Sequence, residues 1–276
     1  MFRSLLSQLV DAAEPAAAKT CRASALGLAA ACCLAPGIAH AGPPYVTDDP
    51  EPVELHHFEL YLATQGGYDR DNNLAFTAPH LEANYGAAPD LQLHLIAPLQ
   101  YAHPSGAPAA YGYGDTEVGV KFRFVREGDV LPQVGVFPLL ELPTGDSARG
   151  LGTGQTQAFL PLWLQKSFGP WLSYGGGGYW INPGSGNRNW WFVGWHLEVK
   201  LGAISPGFEI FHETSAHEGE AGEMRFNLGT VIDLSDLHHL MLSAGRTLEA
   251  GAPAFQWYLA YQLTIGPAES KASATP

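Results

Sequence analysis

The stretch Trp190-Trp-Phe-Val-Gly-Trp-His-Leu-Glu-Val-Lys-Leu201 decides how this chain is read. Trp191, Val193, Trp195, Leu197, Val199 and Leu201 share one parity; Phe192, Gly194, His196, Glu198 and Lys200 share the other. Successive side chains of an extended backbone point to opposite faces, so this period of two makes a strand with one face for hydrocarbon and one for water. The pattern recurs in Phe255, Trp257, Leu259, Tyr261, Leu263 and Ile265 against Gln256, Tyr258, Ala260, Gln262 and Thr264. It recurs again in Val118, Val120, Phe122 and Phe124 against Glu117, Gly119, Lys121 and Arg123.

Carried along the chain, the alternation gives about twelve strands: 53–64, 76–85, 91–101, 113–126, 132–142, 155–168, 171–181, 190–201, 207–214, 224–233, 238–247 and 254–265. Most have the length a tilted strand needs to cross a bilayer. Their connections alternate between long (65–75, 102–112, 143–154, 182–189, 215–223, 248–253) and short (86–90, 127–131, 169–170, 202–206, 234–237). Short turns at one end and longer loops at the other belong to an outer-membrane barrel, and an even strand number leaves both termini periplasmic. A soluble sandwich also alternates, with its apolar face inward. Here the opposite parity carries Glu59, Glu82, Glu117, Lys121, Arg123, Glu141, His196, Glu198, Lys200, Glu209, Glu213 and Arg225. A lipid-facing band around a polar lumen accounts for that content. The expectation is an all-β, antiparallel transmembrane β-barrel of about 12 strands, with those twelve residues lining the lumen as selectivity candidates. Tyr101, Tyr113, Trp180, Trp190 and Trp191 are expected near the outer membrane boundary, and Tyr85, Phe168 and Trp171 near the inner one.

Composition agrees. Charged residues are 15% of the chain, against about 25% in an ordinary soluble domain. No apolar run is long enough for a helical span. The net charge of −13 leaves no basic footprint for nucleic acid.

The first forty residues read as an address. An apolar run, Ala23 to Ile38, follows Lys19 and Arg22, and Ala39-His40-Ala41 supplies a small-x-small cleavage pattern. Residues 1–41 are therefore expected to be a cleaved signal peptide, 42–52 a periplasmic lead-in, 53–266 the barrel and 267–276 a tail. Cys21, Cys32 and Cys33 all precede the cut, which excludes thiol catalysis, thiolate metal sites and disulfides from the mature chain. Cutting there removes Arg3, Lys19, Arg22, Asp11 and Glu14 and moves the net charge from −13 to −14. That charge favours cations or neutral solutes in any pore.

Several segments also resemble a known family. They are Gly42-Pro-Pro-Tyr-Val-Thr-Asp-Asp-Pro-Glu-Pro52, Tyr111-Gly-Tyr-Gly-Asp-Thr-Glu-Val-Gly-Val-Lys-Phe-Arg-Phe124, Glu141-Leu-Pro-Thr-Gly-Asp146, Arg149-Gly-Leu-Gly-Thr-Gly-Gln-Thr156, Pro161-Leu-Trp-Leu-Gln-Lys-Ser-Phe-Gly-Pro-Trp171 and Tyr174-Gly-Gly-Gly-Gly-Tyr179. Together they resemble the outer-membrane β-barrel family associated with the meta-cleavage pathway of phenol degradation, whose members are described as transporters. The resemblance spans nearly all of the mature chain. It implies a Gram-negative outer-membrane barrel passing small, aromatic or otherwise hydrophobic molecules, and carries over no catalytic residue. The chain runs on to Pro276 after Ile265, whereas such barrels often end on an aromatic residue.

Other chemistry finds weak footing. Gly175 to Gly178 lacks the Lys-Ser or Lys-Thr of a phosphate loop and reads as a place where the wall bends or another segment approaches closely. His212-Glu213 with His217 lacks the helical spacing of a zinc protease. Gly145-Asp146-Ser147 leaves an ester or lipid hydrolase as an alternative, though no base is selected by spacing. Asp48, Asp49 and Glu51 are hard oxygen ligands suited to a divalent cation; their Pro-rich setting fits a solvated lead-in or a plug folded into the lumen. No cofactor is expected. The partners implied are outer-membrane lipid, the barrel-assembly machinery and a small-molecule solute, with a closed structural or adhesive barrel as the remaining alternative.

Overall fold

The computed structural model describes residues 43–249 and 254–267. The expected signal peptide with its three cysteines, and the tail from residue 268, lie outside them. The described residues form one closed antiparallel barrel of twelve strands. In chain order these are β1 (Phe58–Tyr68), β2 (Leu74–Ala88), β3 (Leu91–His103), β4 in two pieces (Ala110–Tyr113 and Thr116–Val125), β5 in two pieces (Gln133–Val136 and Leu139–Leu142), β6 (Gln157–Phe168), β7 (Trp171–Ile181), β8 (Trp190–Val199), β9 (Ile204–Glu213), β10 (Glu223–Asp233), β11 (His238–Thr247) and β12 (Phe255–Ile265). Each pairs with its chain neighbours, and β1 closes on β12 from Phe58↔Ile265 to Tyr68↔Phe255. Closure leaves no unpaired edge, which a bilayer requires because its core offers no water to unpaired backbone groups.

Alternation sets the two faces. On β8, Trp191, Val193 and Trp195 are exposed, whereas Trp190, Phe192, Gly194 and His196 are buried. Leu62 on β1, Leu160 and Leu162 on β6, Leu228 on β10 and Leu259 on β12 are likewise exposed apolar residues on the outer wall. Glu82, His94, Glu117, Lys121, His196 and Glu209 are buried inside. The molecule is apolar outside and polar within, the arrangement suited to lipid as solvent.

Both interruptions have local causes. Pro138 has no N–H to give the β5 ladder, and its carbonyl instead accepts from Val120 N at 3.1 Å. At Gly114-Asp115, β4 bends beneath loop 143–156, where the Asp115 carboxylate accepts from the backbone N–H of Gly145 (2.8 Å) and Thr153 (2.6 Å).

The first strand starts later than its alternation suggests, at Phe58 rather than Val53. His56 takes φ +63°, a left-handed turn that separates β1 from residues 43–55. The segment expected as a periplasmic lead-in does not stay outside. It enters the barrel and crosses the lumen as a strap.

Candidate functional site

The strap has no repeating hydrogen-bond ladder, so the wall must satisfy its backbone piece by piece. The Glu209 carboxylate on β9 accepts from two successive amides, Val46 N (2.8 Å) and Thr47 N (2.7 Å). Ser243 Oγ on β11 donates to Pro44 O. Asp48 Oδ1 meets Lys121 Nζ at 3.0 Å, with Asp49 Oδ1 3.7 Å from the same ammonium. Glu51 lies 3.5 Å from the Arg123 guanidinium and accepts from Gln133 Nε2 (3.2 Å) and Gln165 Nε2 (3.0 Å). Val53 N donates to Gln92 Oε1 at 2.9 Å. Thr47 and Asp48 are 0% and 1% exposed, so the strap is interior, not a surface tail.

The wall is cut to receive it. A Cβ at Gly194 would lie 2.2 Å from Thr47 Oγ1, and one at Gly207 2.8 Å from Tyr45 OH. A Cβ at Gly135 would lie 3.0 Å from Pro50 Cβ, and one at Gly86 2.0 Å from Glu54 O. Glycine stands in the wall at each of these contacts because any side chain would occupy the strap's space.

On either side of the strap lies a cavity. The one toward the longer loops holds about 250 Å³ and is lined by Tyr45, Val46, Trp190, Phe211, Arg225 and Trp257 among others. The one toward the short turns holds about 240 Å³ and is lined by Asp48, Asp49, Glu59, Glu82, His94 and Lys121 among others.

The sequence-derived lumen residues fall into distinct groups. Glu82, His94 and Glu117 form one buried cluster, in which His94 lies between Asn84 (2.6 Å) and Glu117 (2.9 Å). Glu59 accepts from the Tyr61 hydroxyl at 2.7 Å on the same side. Lys121 and Arg123 hold the strap, and Arg123 also binds Asp90 at 2.8 Å. Glu141 is paired in register with Glu117 across β4 and β5. His196, Glu198 and Glu209 share the opposite wall, with His196 Nε2 3.4 Å from Glu198. Arg225 binds Glu223 at 2.6 Å in the cavity toward the longer loops, which Glu213 also lines. Lys200 does not join them: it lies beyond the end of β8, about half exposed, and pairs with Asp233 at the short-turn rim.

Outside the spanning strands, Asp90 and Asp49 are perturbed in opposite directions. Hydrogen bonds from Arg126, then Arg123, hold Asp90 below the ordinary carboxylate range. Burial raises Asp49 in the strap, against the pull of Lys121. Asp48 and Asp49 are engaged with Lys121 and Glu51 with Arg123, and the carboxylates of Asp48 and Asp49 also accept from the backbone N–H of Asp49 (2.7 Å) and Glu51 (2.6 Å). Among the described residues no group of three or more His, Cys, Asp or Glu is placed to hold a metal ion.

Two tryptophans expected at the membrane boundary face inward. Trp180 and Trp190 are buried and stack at 5.5 Å. Trp180 stacks on Phe159 at 4.9 Å, and Trp163, Phe192, Phe211 and Phe137 continue the cluster along the lumen wall. Its ends reach both cavities, through Trp190 and Phe211 above and Phe137 below. Parity carried the missing signal, since Trp190 and Phe192 alternate in step with His196. The glycine run belongs here too: a Cβ at Gly178 would lie 2.4 Å from the Phe159 ring and one at Gly176 2.9 Å from Trp163. Trp191, Phe168, Trp171 and Tyr113 do lie on the outer surface.

No family model matches the chain, and no curated protein matches it. Among solved structures, it is similar to an outer membrane channel from Pseudomonas putida F1, with a TM-score of 0.59 at 14% identity over 79% of this chain and 98% of that one. Other matches are the KdgM porin (TM-score 0.49, 8% identity, 75% and 99% of the two chains) and the NanC porin (0.47, 7%, 75% and 99%). At such identities the likeness to the Pseudomonas channel is one of fold: a closed twelve-stranded barrel of the outer-membrane kind.

Proposed function

We propose that this chain is an outer-membrane channel that passes small solutes, aromatic or otherwise hydrophobic ones among them, by passive diffusion, with both termini periplasmic. One observation carries the reading. An apolar-outside, polar-inside closed barrel holds a cavity on each side of a single internal strap, and an aromatic wall joins the two. Selectivity then arises from width and from the charged rows, with no bond-making step. The family resemblance of the sequence supports aromatic solutes, and the excess of lumen carboxylates supports cations and neutral molecules over anions.

Liposome swelling with sugars, amino acids and aromatic acids tests this, together with conductance in planar bilayers. Solute-dependent swelling and cation-preferring conductance are expected. Firm anion preference would contradict the electrostatic part. Absence of both swelling and conductance would contradict the channel reading and favour the closed structural barrel, a reading that the seated strap also fits.

A further inference from the structure

The strap is seated in the wall as a ligand would be, and what it presents identifies the chemistry of its seat. Tyr45, 3% exposed, lies with its ring 4.0 Å from that of His196, which stacks at 4.3 Å on Tyr174. Glycines 207 and 229 form the remaining boundary of the slot; a Cβ at Gly229 would stand 3.0 Å from Tyr45 Cε1. The slot is therefore ring-shaped and aromatic-lined.

Beside it stands Glu209, 0% exposed. Among the described residues every donor that reaches this carboxylate is neutral: the amides of Val46 and Thr47 and the side chain of Asn227. Two of these three belong to the strap. When the strap leaves, a buried carboxylate keeps one neutral partner, a state that strongly favours an arriving cationic donor. Tyr45 OH and His196 Nδ1 are buried without a hydrogen-bond partner, so the fit of the strap's own phenol is incomplete. Tyr45, Val46 and Asn227 all line the cavity toward the longer loops, so a solute entering there meets the strap residues that fill this seat.

We propose that the Tyr45 slot together with Glu209 is a binding site for aromatic amines, which the chain's own strap occupies in cis. In the strap three carbons separate the phenol ring from the amide nitrogen of Val46, the first donor to Glu209. The matching solute carries an aromatic ring and an ammonium group on a spacer of that length. The proposal rests on the channel reading for its physiological sense.

Binding is measured by calorimetry on the full chain folded in detergent. The probes are 3-phenylpropylamine, 3-phenylpropanol, 3-phenylpropionate and n-butylamine, and swelling is measured separately with the same set. The amine should bind about tenfold more tightly than the alcohol, as a charge-assisted bond replacing a neutral one implies. The carboxylate and the ringless amine should bind more weakly still. Glu209→Gln should bring the aromatic amine within about twofold of the alcohol. Tyr45→Ala, which empties the slot and leaves Glu209 in place, should tighten binding of the ring-bearing probes while leaving n-butylamine unchanged, and it keeps the test open if the Glu209 variant does not fold. Equal affinity for all four probes, an unchanged ranking in Glu209→Gln, or a uniform shift for every probe in Tyr45→Ala would overturn the site. Loss of swelling with binding retained would instead defeat the channel reading alone.

Discussion

Gly194→Ala adds one methyl group to a twelve-stranded barrel and should release the strap. The new Cβ would stand 2.2 Å from Thr47 Oγ1, where non-bonded heavy atoms settle at about 3.5 Å. The wall residue is fixed in register with Gly176 on β7 and Phe211 on β9, so the strap has to give by about 1 Å. The Thr47 amide is 2.7 Å from Glu209, and that displacement takes it beyond hydrogen-bonding range. Losing a hydrogen bond to a charged acceptor costs about 1.5–3 kcal/mol. The displaced state should therefore rise roughly ten- to hundredfold. Residues 42–276 contain no cysteine, so a single Val46→Cys reports on the strap without interference. Its maleimide labelling should accelerate by that factor in Gly194→Ala. Gly128→Ala, where an added Cβ meets nothing within 4 Å, is the control. An unchanged labelling rate in a variant that retains heat-modifiable gel migration would refute the idea that wall glycines hold the strap in place.

Four further outcomes are expected. Lys121→Met leaves Asp48 buried without its cation and should weaken strap seating by about 3–5 kcal/mol, read as faster labelling of the same cysteine; Asp48→Asn in that background should restore part of the loss. The Asp90 carboxyl is held below its unfolded value of about 3.9, so its contribution is present above that pH and is lost as pH falls through the folded value. The acid midpoint of the heat-modifiable band should consequently move upward in Asp90→Asn by an amount reflecting about 1 kcal/mol or less. Val193→Arg puts a charge on the lipid face near the middle of β8 and should cost about 2–4 kcal/mol in a urea folding titration in lipid vesicles; an effect near zero would argue against that face meeting lipid. Ser147→Ala should leave swelling rates unchanged, whereas the hydrolase alternative requires loss of an esterase activity.

The barrel was legible because lipid on one side and water on the other impose the same period on every strand. Trp191, Val193 and Trp195 announce the outer wall within five residues. Strand count follows from local sequence and agrees with the structure. The strap was less legible. Its seat is built from residues far along the chain: Glu209 meets Val46 across 163 positions and Ser243 meets Pro44 across 199. No period in Pro43 to Pro52 encodes such partners, although a plug was one of two settings its composition fitted. Val53 extended the apparent alternation of β1 because an apolar residue that packs inside a lumen and one that begins a strand look alike. The aromatic wall was hidden for another reason: boundary tryptophans and lumen tryptophans have the same composition, and only parity separates Trp190 from Trp191. Lys200 follows the parity of β8 but lies one residue past Val199, where the face no longer exists.

The reach of those contacts also dictates an order of assembly. The strap is the first part of the described chain to be made, yet its seat needs Glu209, Asn227 and Ser243 from the last four strands. It can be seated only after those strands stand beside one another, so the earliest residues are the last to find their places. Once seated, they tie the β1 side of the cylinder to the far wall, as a spoke holds a rim, and resist flattening of the ring under lateral pressure from the membrane.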